Sequence, residues 1–275
     1  MLTELAEAEA TGEIAEIFAE IRHYYATPYV SSIHRHLATR PGVLEWSWEL
    51  ASPAFRSGIA QDAGWGIAAD AGLVPLSSIP RDVLAVWGVS DRDVPILRAI
   101  AESFTRVAPL NLVYGGILRE VALGAVPGGS VSSGARWTPP PALPDPPSMV
   151  NAAQLGDAER AVLQQFLSGT GNTAFVPGLY RMLAHWPSLL AHFAVELGPR
   201  FRSDEKTAAA TELLRKIDEA VAGVLKSLPA PRRPAPSREE AAHLVRMIDG
   251  YRVTSPEMIL FGRLIRDALP TGDVT

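Results

Sequence analysis

A helix predicted after Pro28 carries side chains that could do acid–base chemistry on one face. At the i, i+3, i+4 and i+7 positions of that face stand Tyr29, Ser32, Ile33 and His36. An imidazole exchanges a proton near neutral pH, and a serine hydroxyl can donate a hydrogen bond. The face therefore predicts a polar site with His36 as the first candidate base. The same residues also fit an ordinary buried face, in which a backbone carbonyl satisfies His36.

The chain contains this helix twice, at an offset of 146 residues. The segment 29–41 reappears as the segment 175–187, with identities that continue to Ser57 and Ser203. In the second copy the four face positions are occupied by Phe175, Gly178, Leu179 and Met182. One copy offers an aromatic ring, a hydroxyl and an imidazole, whereas the other offers an aromatic ring, bare backbone and apolar groups. This asymmetry is what a site specialised in one half would show.

A second pair of matching segments, 109–120 and 256–267, lies at an offset of 147 residues. The two offsets differ by one residue although the two pairs of segments lie far apart in the sequence. This near-equality indicates that a whole half was duplicated. No period-2 run of β-branched residues predicts a strand. We therefore predict an all-α fold of two tandem homologous helical repeats, 1–126 and 150–275, packed as a pseudo-dimer about a pseudo-two-fold axis. The Pro/Gly/Ser-rich segment 127–149 would link them.

Prolines set several of the predicted helix boundaries. A helix from Asp91 to Arg106 is expected to end before Pro109, which would begin the next helix. In the same way, a helix that Ser237 opens is expected to end near Tyr251, and the last helix is expected to begin near Pro256.

Composition excludes several classes of function. The net charge of −5 comes without a basic block, which argues against nucleic-acid binding. No apolar run reaches the roughly 18 residues of a membrane span, and the acidic N-terminus lacks the pattern of a signal peptide. We expect a cytoplasmic protein without a membrane partner, and the sequence is compatible with a homodimer.

Metal and cofactor sites are not predicted. The chain has no cysteine, and it has no His-Glu-x-x-His pair. His34 and His36 are two residues apart, so on a helix they point about 200° apart and cannot chelate one ion.

Three motifs resemble a known family: an N-terminal Gly-Glu-Ile…Ile-Arg pattern, the segment 27–42, and Leu183-Ala184-His185-Trp186-Pro187. They resemble the group I 2-haloacid dehalogenases, the DehI family, over essentially the whole chain. The resemblance implies an all-α pseudo-dimer whose site lies between the halves. In this family an aspartate activates a water that displaces halide directly at the α-carbon, without an ester intermediate or a cofactor. An asparagine assists, and aromatic residues line the pocket.

The family's pocket residues are partly present. Tyr29 and Tyr251 match pocket aromatics, whereas Ser32 stands where the family has an aromatic residue. The water-activating aspartate is expected eight residues before Pro187, and that position is Leu179.

The family's asparagine is expected immediately before Pro109, at a position that is Ala108 here. Asn111 lies close by on the following helix. Because leucine can neither accept a proton nor orient a water, the base must come from elsewhere. His36 is the first candidate and Asp249 a weaker one.

The sequence therefore supports a DehI-like enzyme that acts on a small carboxylate-bearing substrate at an sp3 carbon, by hydrolytic or intramolecular displacement. Its catalytic candidates are His36 and Asn111, and its substrate-binding candidates are Tyr29, Ser32, Phe175, Gly178, Leu179 and Tyr251. One alternative is a non-catalytic protein that binds a small acid. Another is a true 2-haloacid dehalogenase with a relocated base.

Overall fold

The computed structural model describes residues 3–129, 137–169 and 174–271, and the regular structure of these residues is helical. Within them, strand-like pairing is limited to an isolated bridge between Ser168 and Phe175. The predicted all-α class is confirmed. Of the predicted linker, residues 130–136 lie outside the described residues. None of the helices in these ranges combines the length and apolar character that crossing a membrane requires.

The α-helices of the described ranges are α1 Gly12–Tyr25, α2 Ser32–Leu37, α3 Val43–Arg56, α4 Ile59–Asp70, α5 Arg81–Val86, α6 Asp93–Ala122, α7 Asp157–Gln164, α8 Gly178–Leu183, α9 Pro187–Leu197, α10 Asp204–Ser227 and α11 Arg238–Ala268. Short 3-10 turns add Glu7–Glu9, Ala152–Gln154 and Gly198–Arg202.

The predicted helix breaks at two prolines are wrong. Pro109 lies inside α6, and Pro256 lies inside α11. A proline within a helix removes one backbone hydrogen bond and crowds the carbonyl four residues earlier, which favours a kink. Here the residues that follow each proline, Leu110 and Met258 among them, are buried, so packing holds both flanks in one helix.

One compact unit consists of Met1–Asp70, Arg106–Leu143 and Leu213–Ser255. Within it, glycines of α6 allow two other helices to approach closely. A Cβ on Gly116 would lie 2.7 Å from Val221 Cγ2 of α10, and a Cβ on Gly115 would lie 3.2 Å from Ile248 Cγ2 of α11.

Aromatic rings fill the centre of this unit. Tyr25 stacks on Phe55 with ring centroids 5.3 Å apart, and Trp48 lies 5.4 Å from Phe55. His34 lies 4.4 Å from the Tyr114 ring. An imidazole therefore sits inside an aromatic core, where it needs hydrogen-bond partners of its own.

The other compact unit consists of Ala71–Thr105, Pro144–Glu212 and Pro256–Thr275. Its centre is also aromatic, but it carries fewer polar groups. Tyr180 stacks on Phe166 at 4.2 Å, and Phe201 lies 4.6 Å from Phe261. The Tyr180 hydroxyl is buried and forms no hydrogen bond with any described residue.

Removing that hydroxyl is expected to stabilise the protein. A buried hydroxyl without a partner costs about 1–3 kcal/mol, so Tyr180→Phe should raise the free energy of unfolding by about 1 kcal/mol. Tyr25→Phe is the matched control, because the Tyr25 hydroxyl bonds His34 Nε2 at 3.3 Å and its loss should destabilise. Chemical denaturation measures both variants. A Tyr180→Phe protein less stable than the wild type would contradict the prediction.

Candidate functional site

Helix α2 carries most of the predicted site, but it is shorter than the sequence suggested. It begins at Ser32, so Tyr29 lies in the loop before the helix. The helical face expected from the spacing is therefore limited to Ser32, Ile33 and His36. Ile33 is fully buried, which gives this face an apolar anchor between its two polar side chains.

A buried chain of hydrogen bonds connects α1, α2 and α6. The Ser31 hydroxyl donates to Asn111 Oδ1 at 2.9 Å and lies 2.9 Å from His34 Nδ1. Because a serine hydroxyl has one hydrogen, His34 Nδ1 must carry the proton that Ser31 Oγ accepts. His34 Nε2 is then the acceptor for the Tyr25 hydroxyl at 3.3 Å.

Burial keeps this chain uncharged. It lowers the pKa of His34 from 6.5 to about 3, so the imidazole is neutral across the physiological range. Burial also raises the pKa of Tyr25 well above its usual value. A neutral His34 with a fixed tautomer can hold Ser31, and through it Asn111, in one orientation.

The orientation of Asn111 is the chemical consequence of that chain. With Oδ1 bound to Ser31, the Nδ2 amide group of Asn111 is left as a donor, and no described residue accepts from it. Asn111 is 8 % exposed, so this donor lies close to the surface of the core. Ala108, at the position where the resemblance predicts an asparagine, is buried one turn earlier on α6.

His36 is held by two partners. Its Nδ1 lies 2.7 Å from the Thr3 carbonyl oxygen, which can only accept, so Nδ1 carries the proton. Its Nε2 lies 3.2 Å from His243 Nε2. Burial and the nearby Arg40 guanidinium lower the pKa of His243. With Nδ1 protonated, His36 Nε2 is the acceptor of a hydrogen bond from His243 Nε2.

Ser32 and Tyr251, predicted separately to bind substrate, form a hydrogen bond. The Tyr251 hydroxyl donates to Ser32 Oγ at 2.7 Å, and Ser32 Oγ in turn donates to the carboxylate of Glu4. Burial, more than the nearby Glu4 carboxylate, raises the pKa of Tyr251 to about 12. Tyr251 is therefore a neutral hydrogen-bond donor. No local pattern in the sequence predicts that Glu4 accepts the last hydrogen bond of this chain.

The predicted residues of the second copy belong to the other compact unit. Phe175 is 44 % exposed and pairs its backbone with that of Ser168. Leu179 is fully buried on α8. A Cβ on Gly178 would lie 2.8 Å from Met149 Cε, so Met149 already packs over this glycine.

Two carboxylates bear on the search for a base. Asp249 is half exposed and forms an ion pair with Arg119 at 2.8 Å. Glu257 is buried in the second unit, where it accepts from Ser168 Oγ at 2.9 Å and pairs with Lys206 at 3.3 Å. Burial raises the pKa of Glu257, although Lys206 and Ser168 oppose the shift. Glu257 was not predicted as a candidate because no pattern in the neighbouring sequence indicates that a glutamate after Pro256 is buried.

Two surface grooves in the first unit, about 780 and 610 Å³ in volume, are lined by residues other than the predicted site residues. Several glutamates line the larger groove together with Arg56, Arg232 and Arg233. The glutamates disfavour an anionic ligand in the larger groove, whereas the charged residues that line the smaller groove are Arg40, Arg233 and Glu240. Among the described residues, no group of three or more histidine, aspartate and glutamate side chains is arranged to hold a metal ion.

Comparisons with known proteins give one kind of relative. No protein-family model matches the chain. It is 26% identical over 230 residues to a configuration-inverting 2-haloacid dehalogenase of Alcaligenes xylosoxydans xylosoxydans, a match covering 80% of this chain and 77% of the relative.

Solved structures agree on the fold. A D-2-haloacid dehalogenase in complex with L-LA superposes with a TM-score of 0.74 at 20% identity, covering 98% of this chain and 97% of the other. A mutant D-2-haloacid dehalogenase with D-2-CPA gives 0.67 at 21% identity, covering 98% and 94%. The resemblance inferred from the sequence motifs is thus confirmed: the chain is similar in sequence to a configuration-inverting 2-haloacid dehalogenase and in fold to D-2-haloacid dehalogenases.

Proposed function

We propose that the protein is a cofactor-independent hydrolase that displaces a leaving group, halide foremost, from the α-carbon of a small 2-substituted carboxylic acid. The observation that carries the proposal is the Nδ2 amide group of Asn111, which has no acceptor among the described residues and whose Oδ1 is held by the buried Ser31–His34–Tyr25 chain. A buried polar chain that leaves one donor unused at its end is an arrangement suited to holding a reactant.

In the proposed reaction a water attacks the α-carbon from the side opposite the leaving group. A carbon–oxygen bond forms as the carbon–halogen bond breaks, the halide leaves with the bonding electron pair, and the configuration inverts. Asn111 Nδ2 orients the water by hydrogen bonding. His36 Nε2 releases the hydrogen bond from His243 and accepts the proton that the water loses, since Leu179 offers no acceptor. Its Nδ1–H bond to the Thr3 carbonyl stabilises the tautomer that this role requires.

A non-catalytic protein that binds a small acid is the second candidate. Two observations favour it: Leu179, where the resemblance predicts the acid, is fully buried, and His36 Nε2 already accepts a hydrogen bond from His243. In that case Asn111, Ser32 and Tyr251 would bind the acid without turning it over.

The tandem duplication is part of the proposal. Helices α2 and α8 have the same length and begin at Ser32 and Gly178, which are 146 residues apart. The two longest helices each contain one of the paired prolines, Pro109 and Pro256. These correspondences support repeats over 1–126 and 150–275. Their packing about a pseudo-two-fold axis stays a prediction.

Halide release tests the proposed function. We expect the protein to release chloride from at least one enantiomer of 2-chloropropionate, measured by ion chromatography. His36→Gln should lower the rate about 100-fold, because general-base catalysis typically contributes at least that much. His185→Gln, at an exposed histidine of α8's C-terminal turn, is the control and should retain the rate. No release from 2-chloro- or 2-bromopropionate would contradict the enzyme and favour the binding protein.

A further inference from the structure

Ser32 and Arg35 bind the Glu4 carboxylate through groups that could equally bind the carboxylate of a free ligand. Its Oε2 pairs with Arg35 Nη2 at 2.5 Å, and its Oε1 accepts from Ser32 Oγ. Ser32 and Arg35 are one turn apart on α2, so they point to the same side of the helix. Both partners are parts of a single helix, whereas Glu4 belongs to the segment that precedes α1.

The donor on Ser32 is directed by a further group. Because the Tyr251 hydroxyl donates to Ser32 Oγ at 2.7 Å, the hydrogen of Ser32 is available for the carboxylate. The contacts of Tyr251 with Ser32, of Ser32 with Glu4 and of Glu4 with Arg35 place all four groups in one cluster. The cluster consists of Glu4, Ser32, Arg35 and Tyr251, with Glu4 the sole carboxylate among them.

Arg35 retains a donor that Glu4 does not use. Its Nε is buried and has no hydrogen-bond partner among the described residues. Arginine binds a carboxylate most strongly through two parallel N–H groups. Glu4 forms an ion pair with Nη2 alone, and its other oxygen is bound to Ser32. A carboxylate that replaced Glu4 and reached both Nε and Nη2 would therefore bind the guanidinium through two N–H groups.

The equivalent arginine of the second copy shows what an ordinary structural role looks like. Arg181 lies 146 residues after Arg35, and the two backbones make the same bond, Leu5 N to Arg35 O at 3.0 Å and Val150 N to Arg181 O at 3.1 Å. Arg181 Nε then donates to the Val150 carbonyl at 3.2 Å. The second copy satisfies this nitrogen with its own main chain, whereas the first copy leaves it unsatisfied beside a carboxylate.

We propose that Arg35 and Ser32 form a recognition site for the carboxylate of a small acid, and that the Glu4 carboxylate occupies this site until such an acid displaces it. The identity of the acid as a 2-substituted substrate rests on the proposed function, whereas binding itself can be measured without turnover. The Glu4 side chain then acts as a tethered competitor. A group tethered by a short segment has an effective concentration in the millimolar range, so only comparable concentrations of a free acid compete with it.

Binding of propionate, which carries no leaving group, tests the site by isothermal titration calorimetry. Glu4→Gln should bind propionate about tenfold more tightly than the wild type, because it removes the tethered carboxylate and keeps the side-chain length. Arg35→Lys in the Glu4→Gln background should reverse this gain, because lysine keeps the charge but lacks the paired N–H groups. Glu9→Gln is the matched control: it removes the same charge from an exposed position of the same segment and should not change the affinity.

The outcomes separate this inference from the proposed function. Unchanged propionate affinity in Glu4→Gln, or an equal gain in Glu9→Gln, overturns the recognition site even if the wild type releases halide. Tighter binding in Glu4→Gln by a protein that releases no halide supports the recognition site and contradicts the proposed reaction. Ser32→Ala gives a second check, since in the Glu4→Gln background it should weaken propionate binding about threefold while the circular dichroism spectrum stays helical.

Discussion

Replacing Asn111 with alanine is expected to lower the turnover rate of halide release about 100-fold. Asn111 Nδ2 is the one donor that the buried Ser31–His34–Tyr25 chain leaves unused among the described residues. Losing a preorganised donor at a reacting centre typically costs 100-fold or more in kcat. Steady-state rates with 2-chloropropionate, by chloride detection, measure the effect.

The partners of Asn111 define the controls. Ser31→Ala should lower the rate less, about tenfold, because the amide stays in place but is free to rotate. Asn151→Ala removes an exposed asparagine whose Oδ1 bonds the backbone of Ala153, and it should not change the rate. An Asn111→Ala enzyme with at least half of the wild-type rate would show that the amide takes no part in the reaction.

The second large effect is expected in stability at acid pH. His34 has a pKa of about 3 in the folded protein and about 6.5 when unfolded, so the unfolded chain binds more protons between these values. Stability must then fall as pH drops below 6.5. Between pH 7 and pH 4, His34 alone should remove about 3 kcal/mol from the free energy of unfolding.

Comparing two histidine variants isolates this effect. His34→Gln can preserve bonds to Ser31 and Tyr25 but does not titrate, so its stability should change less with pH than that of the wild type. His185→Gln removes an exposed histidine and should follow the wild-type curve. Urea denaturation at pH 7, 5.5 and 4 gives the three curves. Parallel curves for the wild type and His34→Gln would mean that His34 is protonated in the folded state without penalty.

Local patterns in the sequence predicted the helical class but not every helix boundary. The apolar residues of α1 and α10 recur at the helical period, so a local pattern marks both helices. Pro109 and Pro256 misled because a local rule about proline was applied to segments that tertiary packing holds together. Tyr29 was predicted to lie on a helix because Pro28 suits the first turn of a helix. A proline permits a helix start but does not require one.

In the candidate site, too, local contacts could be predicted from the sequence, whereas contacts between distant residues could not. Ser31 and His34 stand at an i, i+3 spacing, a local signal that could have suggested a pair. Their link to Asn111 spans 80 residues, and the link of Glu4 to Ser32 joins a terminal segment to α2. Such contacts depend on how the helices pack, which no periodicity of the sequence encodes. Asp249 looked available as a base because its partner Arg119 is distant in the sequence.

The central claim, direct displacement by water at an α-carbon, is tested most directly by a single turnover in H₂¹⁸O. Enzyme in excess over (R)- or (S)-2-chloropropionate should release chloride and form lactate of inverted configuration, with ¹⁸O in its hydroxyl group. Chiral chromatography and mass spectrometry measure configuration and label together. Unlabelled lactate from the first turnover would mean that a protein carboxylate attacked the substrate, and the absence of lactate would mean that the protein does not catalyse this displacement.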